Sequence, residues 1–223
     1  MQATFVFDLD GTLVDTAPDL VGALNVVLAL EDVKPMSTDE LRHLVGHGAR
    51  ALIQRGLHAR GRAVSKARFE ELVGAFLGHY ELHIADESGL YADVEAVLDT
   101  LARDGHVLAV CTNKPEKLSL LLLEKMGLLS RFAAVCGADT FPVRKPDPAH
   151  LTGTIERAGG DPKRTVMIGD SRTDRETAAN AGIPCILLDY GYSDVPAAEL
   201  KPEALISHFR DVPETAERLL RSS

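Results

Sequence analysis

This chain of 223 residues lacks an excess of positive charge: 24 Lys and Arg stand against 33 Asp and Glu, for a net charge of −9 at pH 7. Nucleic acids and anionic membranes both require a basic face, so neither is expected as the partner. An anionic substrate stays open, provided that a metal ion and a few fixed cations create a positive spot locally. Cysteine is scarce as well. Cys111, Cys136 and Cys185 are isolated, odd in number and without CxxC spacing, and each falls in an apolar run. They read as buried thiols in a reducing compartment. No segment reaches transmembrane length, since the longest nearly apolar run, Leu20–Leu30, contains Asn25. The N-terminus has no basic start followed by a long apolar stretch, so no signal peptide is expected and the cytoplasm is the default. Internal repeats and low-complexity tracts are absent too.

The composition itself, 45% apolar and 26% charged, is that of an ordinary globular chain, long enough for one large domain or a core with an insertion. Short apolar runs bounded by turn residues recur at Thr4–Asp8, Val107–Thr112, Ala133–Gly137, Val166–Gly169 and Cys185–Leu188. Such runs predict parallel strands buried on both faces. Helical segments lie between them. One opens near Pro115 and stops at Gly127. Another opens at Asp147-Pro148 and stops at Gly159-Gly160, and a third runs from Ser171 to Gly182. Pro near the start and Gly past the end is the expected asymmetry. A last short strand near Leu205-Ile206 and a terminal helix complete the pattern. The fold class predicted is α/β, a doubly wound parallel sheet with right-handed crossovers.

The first crossover breaks that rhythm. Roughly a hundred residues separate the first two strands, where a dozen or more suffice. Residues from about Ala17 to Ala85 read as helical, with Leu20, Leu24, Val27 and Leu28 on one face. Ser37 and Glu40 fit a capping box, and a later helix spans roughly Ser65–His83. The organisation expected is an α/β core of residues 1–15 and 87–223, with an α-helical cap of residues 16–86 inserted after the first strand. Ligands of open α/β sheets bind beyond the carboxyl ends of the strands, so the insertion would lie over the site as a lid.

Those strand ends carry polar residues in every case. The first delivers Asp8-Leu9-Asp10-Gly11-Thr12, the second Thr112-Asn113-Lys114-Pro115. Lys145-Pro146-Asp147-Pro148 follows the third, and Gly169-Asp170-Ser171 ends the fourth, with Asp174 four residues on. Singly, each has an ordinary explanation as a turn, a surface lysine or a helix N-cap. Together they gather several carboxylates, a lysine and a hydroxyl at one edge of one sheet, which is costly unless a cation and an anion occupy it. The residue types suit phosphoryl transfer. Asp8 and Asp170 are hard oxygen ligands for Mg2+. Asp8 can also attack phosphorus, and Asp10 can protonate a leaving alkoxide and then activate water. Thr112 and backbone N–H groups can hold the transferring oxygens, while Lys145 offsets the clustered negative charge.

In this order and at these strand ends, the four segments resemble the motifs of the haloacid dehalogenase-like hydrolase superfamily. The resemblance covers essentially the whole chain. It implies Asp8 as nucleophile and metal ligand, and Asp10 as acid–base residue with its carbonyl on the metal. It further implies Thr112 and Asn113 on the phosphoryl oxygens, Lys145 beside the phosphorylated aspartate, Asp170 as second carboxylate ligand and Asp174 in the outer shell. Mg2+ is the implied cofactor. An acid at Asp10 distinguishes ester hydrolysis from dehalogenation, because a halide leaves without a proton.

The cap is expected to choose the substrate. Gly46-His47-Gly48-Ala49-Arg50 is either a glycine-loosened turn or a loop whose Arg50 meets the carboxylate of a small acidic substrate. Together with Asp15-Thr16-Ala17-Pro18 and Tyr190-Gly191-Tyr192, it is similar to the phosphoglycolate phosphatase branch of the superfamily. That implies a small phosphate ester as partner, with Thr16, His47 and Arg50 as substrate contacts, in a monomer or homodimer. Departures from the branch are His47 for the usual Asn, Tyr91-Ala92-Asp93 for Tyr-Pro-Gly, and Gly137-Ala138-Asp139 for Gly-Gly-Asp. Phosphatases of sugar phosphates such as N-acetylmuramate 6-phosphate, pyrophosphatases and β-phosphoglucomutase-type isomerases share many of the same motifs and stay open. The histidine pairs His43/His47 and His79/His83 are spaced i, i+4, but neither has a Glu in the His-Glu-x-x-His arrangement and no third ligand is evident from spacing, so zinc is not expected.

Overall fold

The structure is a computed structural model and describes residues 2–42 and 48–222. In chain order its strands are β1 (Thr4–Phe7), β2 (Val14–Asp15), β3 (Gly89–Leu90), β4 (Val107–Cys111), β5 (Ala134–Cys136), β6 (Thr165–Gly169), β7 (Cys185–Leu188) and β8 (Ala204–Ile206). Its α-helices are α1 (Ala17–Leu30), α2 (Thr38–Arg42), α3 (Ala49–Ala59), α4 (Lys66–Leu82), α5 (Val94–Arg103), α6 (Glu116–Lys125), α7 (Pro148–Arg157), α8 (Arg172–Ala181) and α9 (Val212–Ser222).

Six strands form one parallel sheet in the order β5-β4-β1-β6-β7-β8. Alternation along β1 sends Phe5 and Phe7 to one face, where they join Leu98 and Leu101 of α5, Leu122 of α6 and Val212 of α9. Val6 points to the other face and packs with Leu151 and Ile155 of α7 and Ala178 of α8. Helices thus cover both faces, as apolar runs without polar alternation require. The three cysteines all lie in the second cluster, free and buried, and burial pushes the Cys111 thiol up to about 12. Among the described residues no helix is long and apolar enough to cross a membrane.

From β1 the chain moves outward through β4 and β5, then returns to the other side of β1 with β6. The reversal opens a crevice beyond the carboxyl ends of β1 and β6, where such sheets bind ligands. Local signals set the elements around it. Ser65 caps α4 by accepting from the Arg68 N–H at 3.2 Å. Ser37 and Glu40 cap each other at the start of α2. Asp147 precedes Pro148 and accepts from the Ala149 N–H, and Ser171 and Asp174 form a capping box on α8.

Helices α1 to α4 fill the long first crossover and pack on one another. They are interrupted over 31–37 and 60–65, so the segment is not continuously helical. The antiparallel pair β2–β3, Val14 opposite Leu90, joins the outgoing and returning chain. Asp19 reinforces the junction by accepting from the Glu87 and Ser88 N–H groups and the Ser88 hydroxyl.

Candidate active site

Loops leaving β1, β4, β5 and β6 converge in the crevice. Asp8 follows β1, and its N–H still bonds to the Ile168 carbonyl at 2.9 Å, which anchors it to β6. Asp170 and Asp174 follow β6. Oxygens of Asp8, Asp170 and Asp174 all lie within 4.8 Å of one another, and all three residues are buried.

Each of these carboxylates is positioned by specific donors. Asp170 Oδ1 accepts from the Thr12 hydroxyl at 2.8 Å and Oδ2 from the Tyr192 backbone N–H at 2.6 Å. Two glycines make room for it. A Cβ on Gly11, whose φ is +85°, would fall 2.5 Å from Asp170 Oδ2, and one on Gly191 would fall 2.2 Å from Asp170 Cβ. Asp174 Oδ2 accepts from the Ser171 hydroxyl at 2.6 Å and the Ser171 N–H at 3.1 Å. Its Oδ1 accepts from Lys145 Nζ at 2.6 Å. The same ammonium lies 3.0 Å from Asp8 Oδ1, an ion pair without hydrogen-bond alignment, so that buried oxygen has no hydrogen-bond partner.

The charge balance is uneven. Burial pushes Asp8 up to about 6, despite the opposing pull of Lys145, and Asp174 and Asp10 add to the rise. Burial, then Asp174 and Asp8, hold Asp170 well above the carboxylate range. Burial alone would lower the Lys145 ammonium, but Asp174 and Asp8 outweigh it and its pKa is raised. One lysine paired with two of three buried carboxylates leaves negative charge uncompensated. An orphaned carboxylate oxygen among hard oxygen donors fits a small divalent cation.

Asp10 lies at the edge of this cluster. Its Oδ1 accepts from the Thr16 hydroxyl at 2.8 Å and from Lys114 Nζ at 2.9 Å. Lys114 also donates to the Tyr80 hydroxyl of α4 at 2.7 Å. Burial would lower its pKa too, yet Asp10 and Tyr80 leave it raised. Asn113 Nδ2 donates to the Lys145 carbonyl at 3.1 Å and ties the β4 loop to the β5 loop.

A cavity of about 50 Å³ opens above Asp8 and Asp10. Thr112, Asn113 and Lys114 contribute from the sheet side, and Leu52, Phe76 and Tyr80 from the helices above. Asp8, Asp10, Thr112 and Asn113 therefore share one cavity, with Lys145, Asp170 and Asp174 packed behind it. Two expected substrate contacts are placed elsewhere. Thr16 is buried and spends its hydroxyl on Asp10. Arg50 does not line the cavity. It makes a two-pronged ion pair with Glu70, at 2.8 and 2.6 Å, over the Phe69 ring on the outer side of α3 and α4. The reason is helical phase: Ala49 and Leu52 face inward, and Arg50, about 100° round from Ala49, does not. His43 and His47 lie outside the described residues.

Three participants escaped the sequence reading. Lys114 and Thr12 lie within the segments already singled out, so their neighbours were the available signal. Tyr192 also lies in a segment singled out, Tyr190-Gly191-Tyr192, but it acts on Asp170 through its backbone N–H, which has no residue-type signature.

The chain thus presents a parallel α/β sheet with a cluster of buried aspartates at its switch point, able to hold a metal ion. The chain belongs to the haloacid dehalogenase-like hydrolase family, whose sequence pattern matches residues 5–188. A phosphoglycolate phosphatase of Mesorhizobium japonicum is 47% identical over 98% of this chain and 96% of that protein. Another, from Caulobacter vibrioides, is 47% identical over 99% of this chain and 93% of its own length. A crystal structure from Haemophilus somnus, described as a predicted phosphoglycolate phosphatase, superposes with a TM-score of 0.90. It is 31% identical and covers 96% of this chain and 97% of that one.

Proposed function

We propose that this chain is a Mg2+-dependent phosphomonoester hydrolase that converts 2-phosphoglycolate to glycolate and phosphate through an aspartyl-phosphate on Asp8. The observation that carries the reading is the placement of Asp8 and Asp10 at one cavity, with Lys145, Asp170 and Asp174 gathered behind Asp8. Asp8, Asp170 and the Asp10 carbonyl would hold Mg2+, with Asp174 behind them. When bound, the ion supplies positive charge for the clustered carboxylates and the phosphoryl oxygens.

Asp8 attacks phosphorus, and the bond from phosphorus to the ester oxygen breaks as the Asp8–phosphorus bond forms. Asp10 gives its proton to the departing glycolate oxygen. It then takes a proton from the water that attacks the aspartyl-phosphate, so phosphate leaves and both carboxyl groups return to their starting state. Thr112 and Asn113 hold the phosphoryl oxygens, and Lys145 fixes the orientation of Asp8. The Thr16 hydroxyl and Lys114 aim the Asp10 side chain.

Residues 16–86 act as the cap over a core of 1–15 and 87–223. The β2–β3 pair, which joins both chain crossings, and the cavity wall contributed by α1, α3 and α4 support this division. The small cavity suits a short ester: at about 10–15 Å³ for each water-sized occupant it holds only a few. The buried free thiols support a cytoplasmic setting.

The test is phosphate release from 2-phosphoglycolate, N-acetylmuramate 6-phosphate, pyrophosphate and β-glucose 1-phosphate, compared as kcat/KM. The highest value is expected for 2-phosphoglycolate. Isomerisation of glucose 1-phosphate without release, or a higher value for another ester, would overturn the assignment.

A further inference from the structure

A small acidic ester brings two charged groups into the cavity, the phosphate and a carboxylate. The phosphate has Asp8, Thr112 and Asn113 beside it, but the carboxylate needs a cation of its own. Among the described residues that line the cavity, Lys114 is the basic one. Much of the remaining wall is apolar, with Leu20, Leu52, Phe76, Leu77 and Leu118. An unpaired carboxylate against that wall would be desolvated without compensation.

We propose that Lys114, supported by the Tyr80 hydroxyl, is the subsite that binds the substrate carboxylate. The inference rests on the reading of the substrate given above. The Lys114 side chain is 4% exposed, and its Nζ lies 2.9 Å from Asp10 Oδ1, 2.7 Å from the Tyr80 hydroxyl and 4.5 Å from the Tyr80 ring centroid. An ammonium has three N–H donors, and these two partners use two of them. The third is available for a ligand oxygen, and a charge-assisted bond in so dry a place is among the stronger kinds.

The arrangement also selects chain length. Asp10 serves the ester oxygen, and Lys114 is one hydrogen bond from Asp10. In 2-phosphoglycolate a single methylene separates the ester oxygen from the carboxylate carbon. An ester oxygen at Asp10 therefore brings that carboxylate to Lys114, whereas a longer acid would push it toward the apolar wall. Tyr80 belongs to α4 and Lys114 to the loop after β4, so the subsite is complete only while the helices sit over the sheet. Specificity and closure then depend on the same contact.

The experiment compares kcat/KM for 2-phosphoglycolate with that for 2-hydroxyethyl phosphate, in which a hydroxymethyl group replaces the carboxylate. Wild type is expected to prefer 2-phosphoglycolate. Lys114→Met should lower both values, because Asp10 loses a partner, and should also cut the preference by about 10- to 100-fold, chiefly through KM. Tyr80→Phe keeps the ring and removes only the hydroxyl, and should cut the preference by about fivefold. A wild type with no preference refutes the proposed substrate, and this subsite with it. A wild type with the preference, retained in Lys114→Met, refutes the subsite alone. Should Lys114→Met not fold, retention of the wild-type ratio in Tyr80→Phe has the same force.

Discussion

The Lys145 ammonium lies 2.6 Å from the Asp174 carboxylate, with both side chains withdrawn from solvent. Asp174 has its other oxygen on Ser171, so its orientation does not rest on Lys145 alone. Lys145 is then held where it also reaches Asp8, 3.0 Å away. The capping box of α8 thereby holds the one cation that is paired with the proposed nucleophile.

Removing that cation should cost stability as well as activity. Lys145→Met leaves buried carboxylates unpaired, a change that typically costs about 3–5 kcal/mol. Urea denaturation with a chelator present measures it. Adding Asp174→Asn in the same chain should recover part of the loss, because the amide needs no counter-charge. No recovery would mean that Asp8, not Asp174, bears the burden of the missing lysine.

Asp8 itself gives a pH prediction. Its carboxyl is raised from 3.8 to about 6 by burial, so the folded state binds that proton more tightly than the unfolded chain. The contribution to stability is complete below 3.8 and is lost as pH rises through about 6. Asp170, raised by the same cause, acts in the same sense. Chelated protein should therefore have a higher Tm at about pH 5.5 than at about pH 8, and Mg2+ should raise the Tm more at the higher value. Asp8→Asn should flatten the slope and abolish phosphate release while circular dichroism stays that of wild type. Turnover near wild type in that variant would exclude the aspartyl-phosphate route.

Gly191 tests the proposed cation site by steric means. Its φ is outside the left-handed region, but a Cβ there would fall 2.2 Å from Asp170 Cβ. Gly191→Ala must displace Asp170 or the Tyr192 N–H that holds it. We expect the Mg2+ concentration for half-maximal activity to rise by about 10- to 100-fold, as when a ligand loses its support. Gly22→Ala, inside α1 with nothing within 4 Å of the new methyl, should leave that concentration unchanged.

Much of the sheet was legible because both its faces are buried, so Val6, Val110 and Ile168 sit in unbroken apolar runs. Asp8, Asp10, Lys145 and Asp170 were legible because each occupies a loop segment that ends or follows such a run, and Asp174 because it lies in the first turn of the helix that follows β6. What escaped depends on contacts between distant elements. Two-residue strands such as β2 and β3 have no periodicity to detect. Lys114 beside Pro115 reads as a surface lysine until Tyr80, 34 residues earlier, is seen to cover it. Likewise, the segment Gly48-Ala49-Arg50 shows a helix start near a basic residue but not the phase of the helix, and phase decides which side Arg50 takes.

Arg50 gives the sharpest test of that phase. Its guanidinium faces Glu70, and both side chains are about half exposed, at 54% and 50%. An exposed pair is screened by water and salt, so Arg50→Ala should change the Tm little. Because Arg50 is absent from the cavity wall, discrimination between 2-phosphoglycolate and p-nitrophenyl phosphate should stay within about twofold of wild type. The kcat/KM ratio for the two esters measures this. A selective fall for 2-phosphoglycolate would mean that Arg50 leaves Glu70 and enters the cavity when the acid binds. The carboxylate would then have two candidate cations, and Arg50→Ala combined with Lys114→Met would show whether they act together, by a loss larger than the two single losses predict.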